Sequence, residues 1–376
     1  MPNYVWRQIH AINVGLILFD EKYIDTFETT QSRFILFLAT LVLSLALKPS
    51  PIRSVIFYLV CAVYASIVLI PSPIPLDATI QYHFGLIGAL YLSRACYLVF
   101  FTESPLQELR QKGQKTTATE FDLVSRLRWS LNLILNPRGA NWSCEVRGLR
   151  RSAHPHWAFV WSQLKWAAAF FLLRDALEFW VQRNNAFGRF DEHWMDAQWI
   201  IWRAFNGVLF WFSMYALMQS NHALCAAVAV SLGISDPSDW PAWFGPLDET
   251  VTVRKFWGQT WHQAIRMGVA THAQYFTNTI LGFPKGTSRS SYTQLYTAFF
   301  ISGLIHAFGD FAVTHDIKPF ADNMVCYCIQ AIAITFEDVA IIVFKGLGIH
   351  RVPRVVGSDS TIWTEVFFNE KAARGS

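Results

Sequence analysis

Two histidines, His262 and His306, lie 44 positions apart in settings that do not favour an imidazole. His262 stands in Phe256-Trp257-Gly258-Gln259-Thr260-Trp261-His262-Gln263, an aromatic and polar stretch between apolar runs. His306 lies midway along AFFISGLIHAFGDF. An ionisable residue inside an apolar run is costly and faces a cavity or a partner, so either it does chemistry or it ties helices together by a hydrogen bond. A neutral imidazole with one nitrogen fixed by a partner is a general base through the other nitrogen. Asp310, four residues on and on the same helical face, is a candidate for that partner; it reads equally well as a polar group at the helix end. His262 with Gln263 is a candidate for polar groups pointing into a pocket, with Trp257 and Trp261 at headgroup level. Glu337-Asp338 interrupt another apolar run, where two adjacent acids must pair, bind a cation or share a proton; Lys165, Arg174 and Arg94 are possible intramembrane partners.

The elements that would hold these residues are membrane helices. Of the 376 residues, 53% are hydrophobic and 15% charged, well under the roughly 25% charged content of soluble domains. Sixteen Trp and 31 Phe supply interfacial belts and packing between helices. The apolar segments are continuous rather than alternating, which argues against a closed barrel. Spans are expected near 34–47, 55–70, 84–101, 158–173, 199–218, 221–234, 267–283, 295–314 and 324–344. Residues 5–19, weakly apolar, are expected to lie along the interface or dip part-way into it. The expected architecture is all-α: a polytopic integral membrane bundle of roughly eight to ten helices with an interfacial or re-entrant segment, forming a single domain over residues 1–376. Arg94, inside a span, is expected to face protein or water. No cleavable signal sequence is expected, since the first apolar run is broken by His10, Asn13 and Gly15 and meets Asp20.

The polar section 104–157 carries nine Lys/Arg against four acids, which places it in the cytosol. Asn141-Trp142-Ser143 is formally a glycosylation sequon that would stay unmodified there. The net charge of +4 over this length is no nucleic-acid signal. Six scattered cysteines read as reduced packing residues; Cys326-Tyr-Cys328 has neither zinc nor thioredoxin spacing.

Several chemistries are weakened by what the sequence holds. His306, Asp310 and His315 make a poor metal set without clustered histidine boxes, so no metal site is expected. DDxxD and NDxxD strings, which would hold magnesium and a diphosphate, are missing, as is GxSxG. His306-Ala-Phe-Gly-Asp310 matches the HxxxD string of soluble acyltransferases, but four-residue strings arise by chance.

In order along the chain, RLRWSLNLILNPRGANWSCEVRGL (126–149), SDWPAWFG (238–245), RKFWGQTWHQ (254–263), LGFPKGT (281–287), SYTQLYTAFFISGLIHAFGD (291–310) and QAIAITFED (330–338) resemble the membrane-bound O-acyltransferase superfamily, in its fungal wax-synthase-like branch. The resemblance covers about two-thirds of the chain, from residue 126 onward. It implies that His306 is the membrane-embedded catalytic histidine and His262 the second active-site residue. It also implies an acyl-CoA co-substrate with no bound cofactor, a lipophilic alcohol acceptor, and residence in the endoplasmic reticulum membrane. The acceptor would be a terpenoid or polyketide secondary metabolite, with a short acyl group ahead of a long one. Arg254, Lys255 and Lys285 are candidates for CoA phosphates, or else for topology and headgroup contact. Gln259-Thr260 stand where the family more often has two arginines. The competing readings are a wax synthase using fatty alcohols, a membrane isoprenoid cyclase using His306 and Glu337-Asp338 to shuttle protons, and a transporter or non-catalytic scaffold.

Overall fold

The computed structural model describes residues 21–70, 78–102, 104–146, 148–152, 154–183, 200–246, 250–261 and 263–348. Residues 5–19, expected along the interface, fall outside the described residues. The described residues are all-helical, with no extended strand among them. The helices longer than eight residues are α1 (Glu21–Ala46), α2 (Pro51–Leu69), α3 (Ala78–Cys96), α4 (Leu123–Leu135), α5 (His156–Arg183), α6 (Ile200–Ser231), α7 (Arg266–Gln274), α8 (Ser288–Thr314) and α9 (Ile317–Gly346). Four segments of the described chain are long and apolar enough to cross a membrane: Pro51–Leu69, Ile80–Phe101, Ser288–Thr314 and Ile317–Gly346. The described residues divide into two compact units, one within 139–245 and the other within 21–138 and 246–348.

In the larger unit α8 is central, packed against α3, α7 and α9, while α1 packs on α2 and α4. The close approaches are made by glycines. A Cβ on Gly309 would stand 2.7 Å from the Tyr82 ring of α3, and one on Gly303 would stand 3.1 Å from Cβ of Tyr327 on α9. Small residues let backbones meet where apolar burial gives helices no reason to associate, since lipid is as apolar as a leucine side chain.

Arginines finish the helices of this unit. Arg126 donates to the carbonyl of Ala46 at the end of α1 (3.1 Å), Arg33 to Ser66 in the last turn of α2 (3.3 Å), Arg53 to Val99 in the π-turn that prolongs α3 (2.6 Å) and Arg94 to Asn136 just past α4 (2.8 Å). The last carbonyls of a helix lack intrahelical donors and carry its negative end, so a guanidinium suits them on both counts. Arg94 is 2% exposed and faces protein, as expected for a charge inside a span. Arg138 is also buried, and burial pushes its guanidinium down to about 10. It remains charged at neutral pH but is not a surface charge. The basic section 104–157 holds an amphipathic helix, α4, whose N-terminus is capped by Asp122.

In the smaller unit α5 packs on α6. The two spans expected at 199–218 and 221–234 are instead one continuous helix. Gln219-Ser220-Asn221-His222 contains no glycine or proline, and the helix accommodates it. Gln219 donates to the Tyr215 hydroxyl (3.2 Å), Ser220 to the Leu217 carbonyl (2.9 Å), and His222 packs between Trp240 and Trp243. Asn141, with φ +62°, donates its amide to Asp239 (2.7 Å) and Ser238 (3.2 Å). That bond joins RGANW to SDWPAWFG, two landmarks almost a hundred residues apart in sequence. The expected span 267–283 is also different: α7 is short and runs into a π-turn, Tyr275–Ile280, in which Asn278 donates to the Phe283 carbonyl and the Ser290 hydroxyl (both 2.8 Å). Polar residues here serve a loop rather than a membrane crossing.

Candidate active site

His306 occupies the middle of α8, half-buried. Its Nδ1 lies 2.8 Å from the carbonyl oxygen of Ser302, one turn back. A carbonyl oxygen only accepts, so Nδ1 carries the hydrogen and the lone pair of the neutral ring is on Nε2. The tautomer is therefore set within the helix. Asp310, the expected partner, turns instead to α9, where its carboxylate accepts from the Asn323 amide. The reason is geometric: with the imidazole reaching back toward Ser302, its Nδ1 points away from the turn that carries Asp310.

One ring packs against the imidazole from outside α8: Tyr327 of α9, with centroids 4.5 Å apart and planes 28° from parallel. Tyr327 is in turn 6.3 Å from Trp257, which meets Phe299 edge-on at 5.8 Å. The indole N–H of Trp257 donates to Gln330 (3.3 Å). Trp257 is thus packed inside the protein with His306's neighbours rather than placed as a headgroup anchor. Trp261 stacks obliquely on Phe256 (5.5 Å) within the same segment.

The segment bearing these aromatics is a helical turn, Val253–Lys255, continued by a π-turn, Phe256–Thr260. π-turns recur at functional sites because the extra residue redirects side chains. Gln263 is buried and donates to the carbonyls of Trp261 (2.6 Å) and Trp257 (3.4 Å), while its own oxygen accepts from Arg266 (3.0 Å). It ties off the turn. Thr260, 2% exposed, sets its hydroxyl against that of Thr250. His262 lies outside the described residues.

Glu337 and Asp338 hold this segment to α9. The Glu337 carboxylate accepts the backbone N–H groups of Val253 (3.0 Å) and Arg254 (3.2 Å). Asp338 pairs with the Arg254 guanidinium and accepts from the Tyr292 hydroxyl (3.0 Å). The acids therefore find their cation on the neighbouring segment. Of the expected partners, Arg94 serves α4, Arg174 lies 3.9 Å from Glu178 one turn along α5, and Lys165 is exposed. The same pairing commits Arg254 to Asp338. Lys255 is half-buried, and Lys285 is exposed in the loop before α8. No group of three or more His, Cys, Asp or Glu with metal-binding geometry occurs among the described residues.

Sequence reasoning did not reach Tyr327, Ser302, Gln330 or Tyr292. Only the glycines carried a usable signal: Gly303 and Gly309 bracket His306 and mark where neighbouring helices come closest.

Residues 240–329, which contain both histidines and most of the contacts above, match the model of the membrane bound O-acyl transferase family. Over this stretch the chain is similar to that family, and four of its described helices are long and apolar enough to cross a membrane. It is 28% identical over 340 residues to acetyltransferase ple2 of Rhodocybe pseudopiperita, covering 87% of this chain and 85% of that one. It is 32% identical over 216 residues to acetyltransferase eriL of Hericium erinaceus, covering 56% of each. It is 25% identical over 331 residues to O-Mevalon transferase yanI of Aspergillus niger, covering 79% and 73%. No solved structure matches the chain.

Proposed function

We propose that this protein is a membrane O-acyltransferase that moves an acyl group, acetyl ahead of longer chains, from acyl-CoA to the hydroxyl of a lipophilic secondary metabolite. The observation that carries this reading is His306: its Nδ1 is occupied by the Ser302 carbonyl, so Nε2 is the basic nitrogen, and it stands in an apolar helix inside the stretch that matches the family. The names of the relatives favour acetyl transfer and related transfers in fungal metabolism over wax-ester synthesis.

In this mechanism Nε2 of His306 takes the proton of the acceptor hydroxyl as its oxygen attacks the thioester carbonyl. The tetrahedral intermediate collapses with cleavage of the C–S bond. The imidazolium returns its proton to the departing thiolate, so that an ester and free CoA leave and the enzyme is unchanged. The Nδ1–H bond to Ser302 persists throughout and steadies the transient cation. His262 would donate to the developing oxyanion. Lys285, with Lys255, would meet the CoA phosphates. Apolar surroundings strengthen these interactions and limit loss of the thioester to water. The basic section 104–157 faces the cytosol, on the side of the CoA pool, in the endoplasmic reticulum membrane.

The test is direct. Microsomes containing the protein are incubated with labelled acetyl-CoA and longer acyl-CoAs against a panel of terpenoid, polyketide and fatty alcohols. Ester formation matched by CoA release is the expected result. No CoA release with any pair, from folded protein, would overturn the assignment.

A further inference from the structure

A hydrogen bond at Nδ1 fixes which nitrogen of His306 is basic and restrains the ring along one edge. Tyr327 restrains it across its face. Its ring lies 4.5 Å from the imidazole at 28°, and this approach depends on Gly303, where a Cβ would come within 3.1 Å of Cβ of Tyr327. Tyr327 is itself backed by Trp257 at 6.3 Å, and Trp257 is held by Gln330, one turn along α9 from Tyr327. Aromatic rings prefer such offset and tilted arrangements to a face-to-face sandwich. From imidazole to indole the rings form one packed series, anchored at one end by the Ser302 carbonyl and at the other by the Gln330 amide oxygen.

We propose that Tyr327 is a positioning residue for His306, acting through its ring face: it holds the imidazole plane and covers one side of it, so that the acceptor hydroxyl reaches Nε2 from the opposite side. The inference rests on the reading of His306 as the base. The contact is made by the ring, so a phenylalanine reproduces it and an aliphatic residue of similar bulk does not. Misplacing a reacting group by about 1 Å costs on the order of 100-fold, which sets the scale of the effect.

The experiment uses the full-length protein in microsomes with whichever acyl-CoA and alcohol the wild type turns over. Tyr327→Phe is expected within about 3-fold of wild type. Tyr327→Leu is expected to lose about 10- to 100-fold in kcat, with KM for acyl-CoA within about 3-fold. Should Tyr327→Leu fail to accumulate in the membrane, Tyr327→Met serves in its place, with the same expected kcat loss. A Leu or Met variant with kcat within 2-fold of wild type overturns the proposal. So does a Phe variant as impaired as the aliphatic one, or a defect confined to KM. His306→Ala is run alongside to separate the two readings. If it stays active, the base assignment falls; if it is inactive while the aliphatic variant keeps its kcat, only the role of Tyr327 falls.

Discussion

Nδ1 of His306 and the carbonyl oxygen of Ser302 are 2.8 Å apart along one turn of α8, so the helix itself dictates which nitrogen can act as base. Removing the imidazole should then remove the chemistry and little else. His306→Ala is expected to lower acyl transfer by at least about 100-fold, the lower bound for a general base, with normal membrane insertion. Labelled acyl transfer and membrane fractionation measure the two. Activity near wild type would show that the base lies elsewhere.

The crossings of α8 should be intolerant of a single methyl group. Gly309→Ala places a Cβ 2.7 Å from the Tyr82 ring, and such overpacking costs about 1–3 kcal/mol. Gly207, on α6, has nothing within 4 Å of the added atom. There alanine should be neutral or stabilise by up to about 1 kcal/mol through helix propensity. Thermal midpoints in detergent should fall for Gly309→Ala and hold or rise for Gly207→Ala; equal behaviour would contradict the packing described.

Arg254 and Asp338 should behave as a pair. Both side chains are roughly a quarter exposed, so solvent screening keeps the expected coupling to about 1 kcal/mol or less. In a double-mutant cycle with Arg254→Ala and Asp338→Ala, the double variant should lose less stability than the two single losses added. Strict additivity would mean the ion pair does not hold the segment.

Asn141 should carry no glycan despite its sequon, because the basic section that bears it is expected on the cytosolic side; in the fold its amide is engaged with Asp239 and Ser238. Treatment with an amide-cleaving glycosidase should leave the gel mobility unchanged. Asn141→Ala should destabilise by about 1–3 kcal/mol, since it removes a hydrogen bond to a carboxylate at a backbone position, φ +62°, that alanine adopts poorly. Asn141→Asp, which sets a second carboxylate against Asp239, should be worse.

Asp122 gives a pH signature. The hydroxyl of Ser125, followed by the backbone amides of Ser125 and Val124, holds its carboxyl below the ordinary carboxylate range. A depressed value in the folded state means that its stabilisation is present above the unfolded value and lost as pH falls through the folded one. Asp122→Ala should therefore lower the thermal midpoint at pH 7, and the gap to wild type should close as the pH drops below about 4. A gap that persists at low pH would assign the loss to packing instead.

Composition and continuous apolar runs made the helical membrane class legible, and the setting of His306 marked it before any geometry was known. Partners were harder to read. Sequence proximity pointed from His306 to Asp310, yet the helix's own carbonyl at Ser302 won, because a side chain that reaches back one turn meets backbone first. Glu337 and Asp338 announced that they needed a cation without naming it. Arg254 is 84 residues away, and only the packing of its segment on α9 brings it there. Tyr327 had no spacing to betray it, since stacking across two helices depends on where Gly303 lets them touch. The polar break that seemed to separate two spans in α6 misled for the opposite reason: a helix continues through Gln-Ser-Asn-His when nothing forbids it.

The arginines at the ends of α1 to α4 change what the basic residues of this chain mean. Arg126 is one of the charges that orient the section 104–157 in the bilayer, yet it, like Arg33, Arg53 and Arg94, spends its guanidinium on another helix's last carbonyls. A lysine at these places would preserve the tally that orients the chain while giving up the planar, multi-donor fork. Charge number and charge shape are thus separate inheritances here: the first tells the translocation machinery which way the chain faces, and the second clamps the helices once they are in.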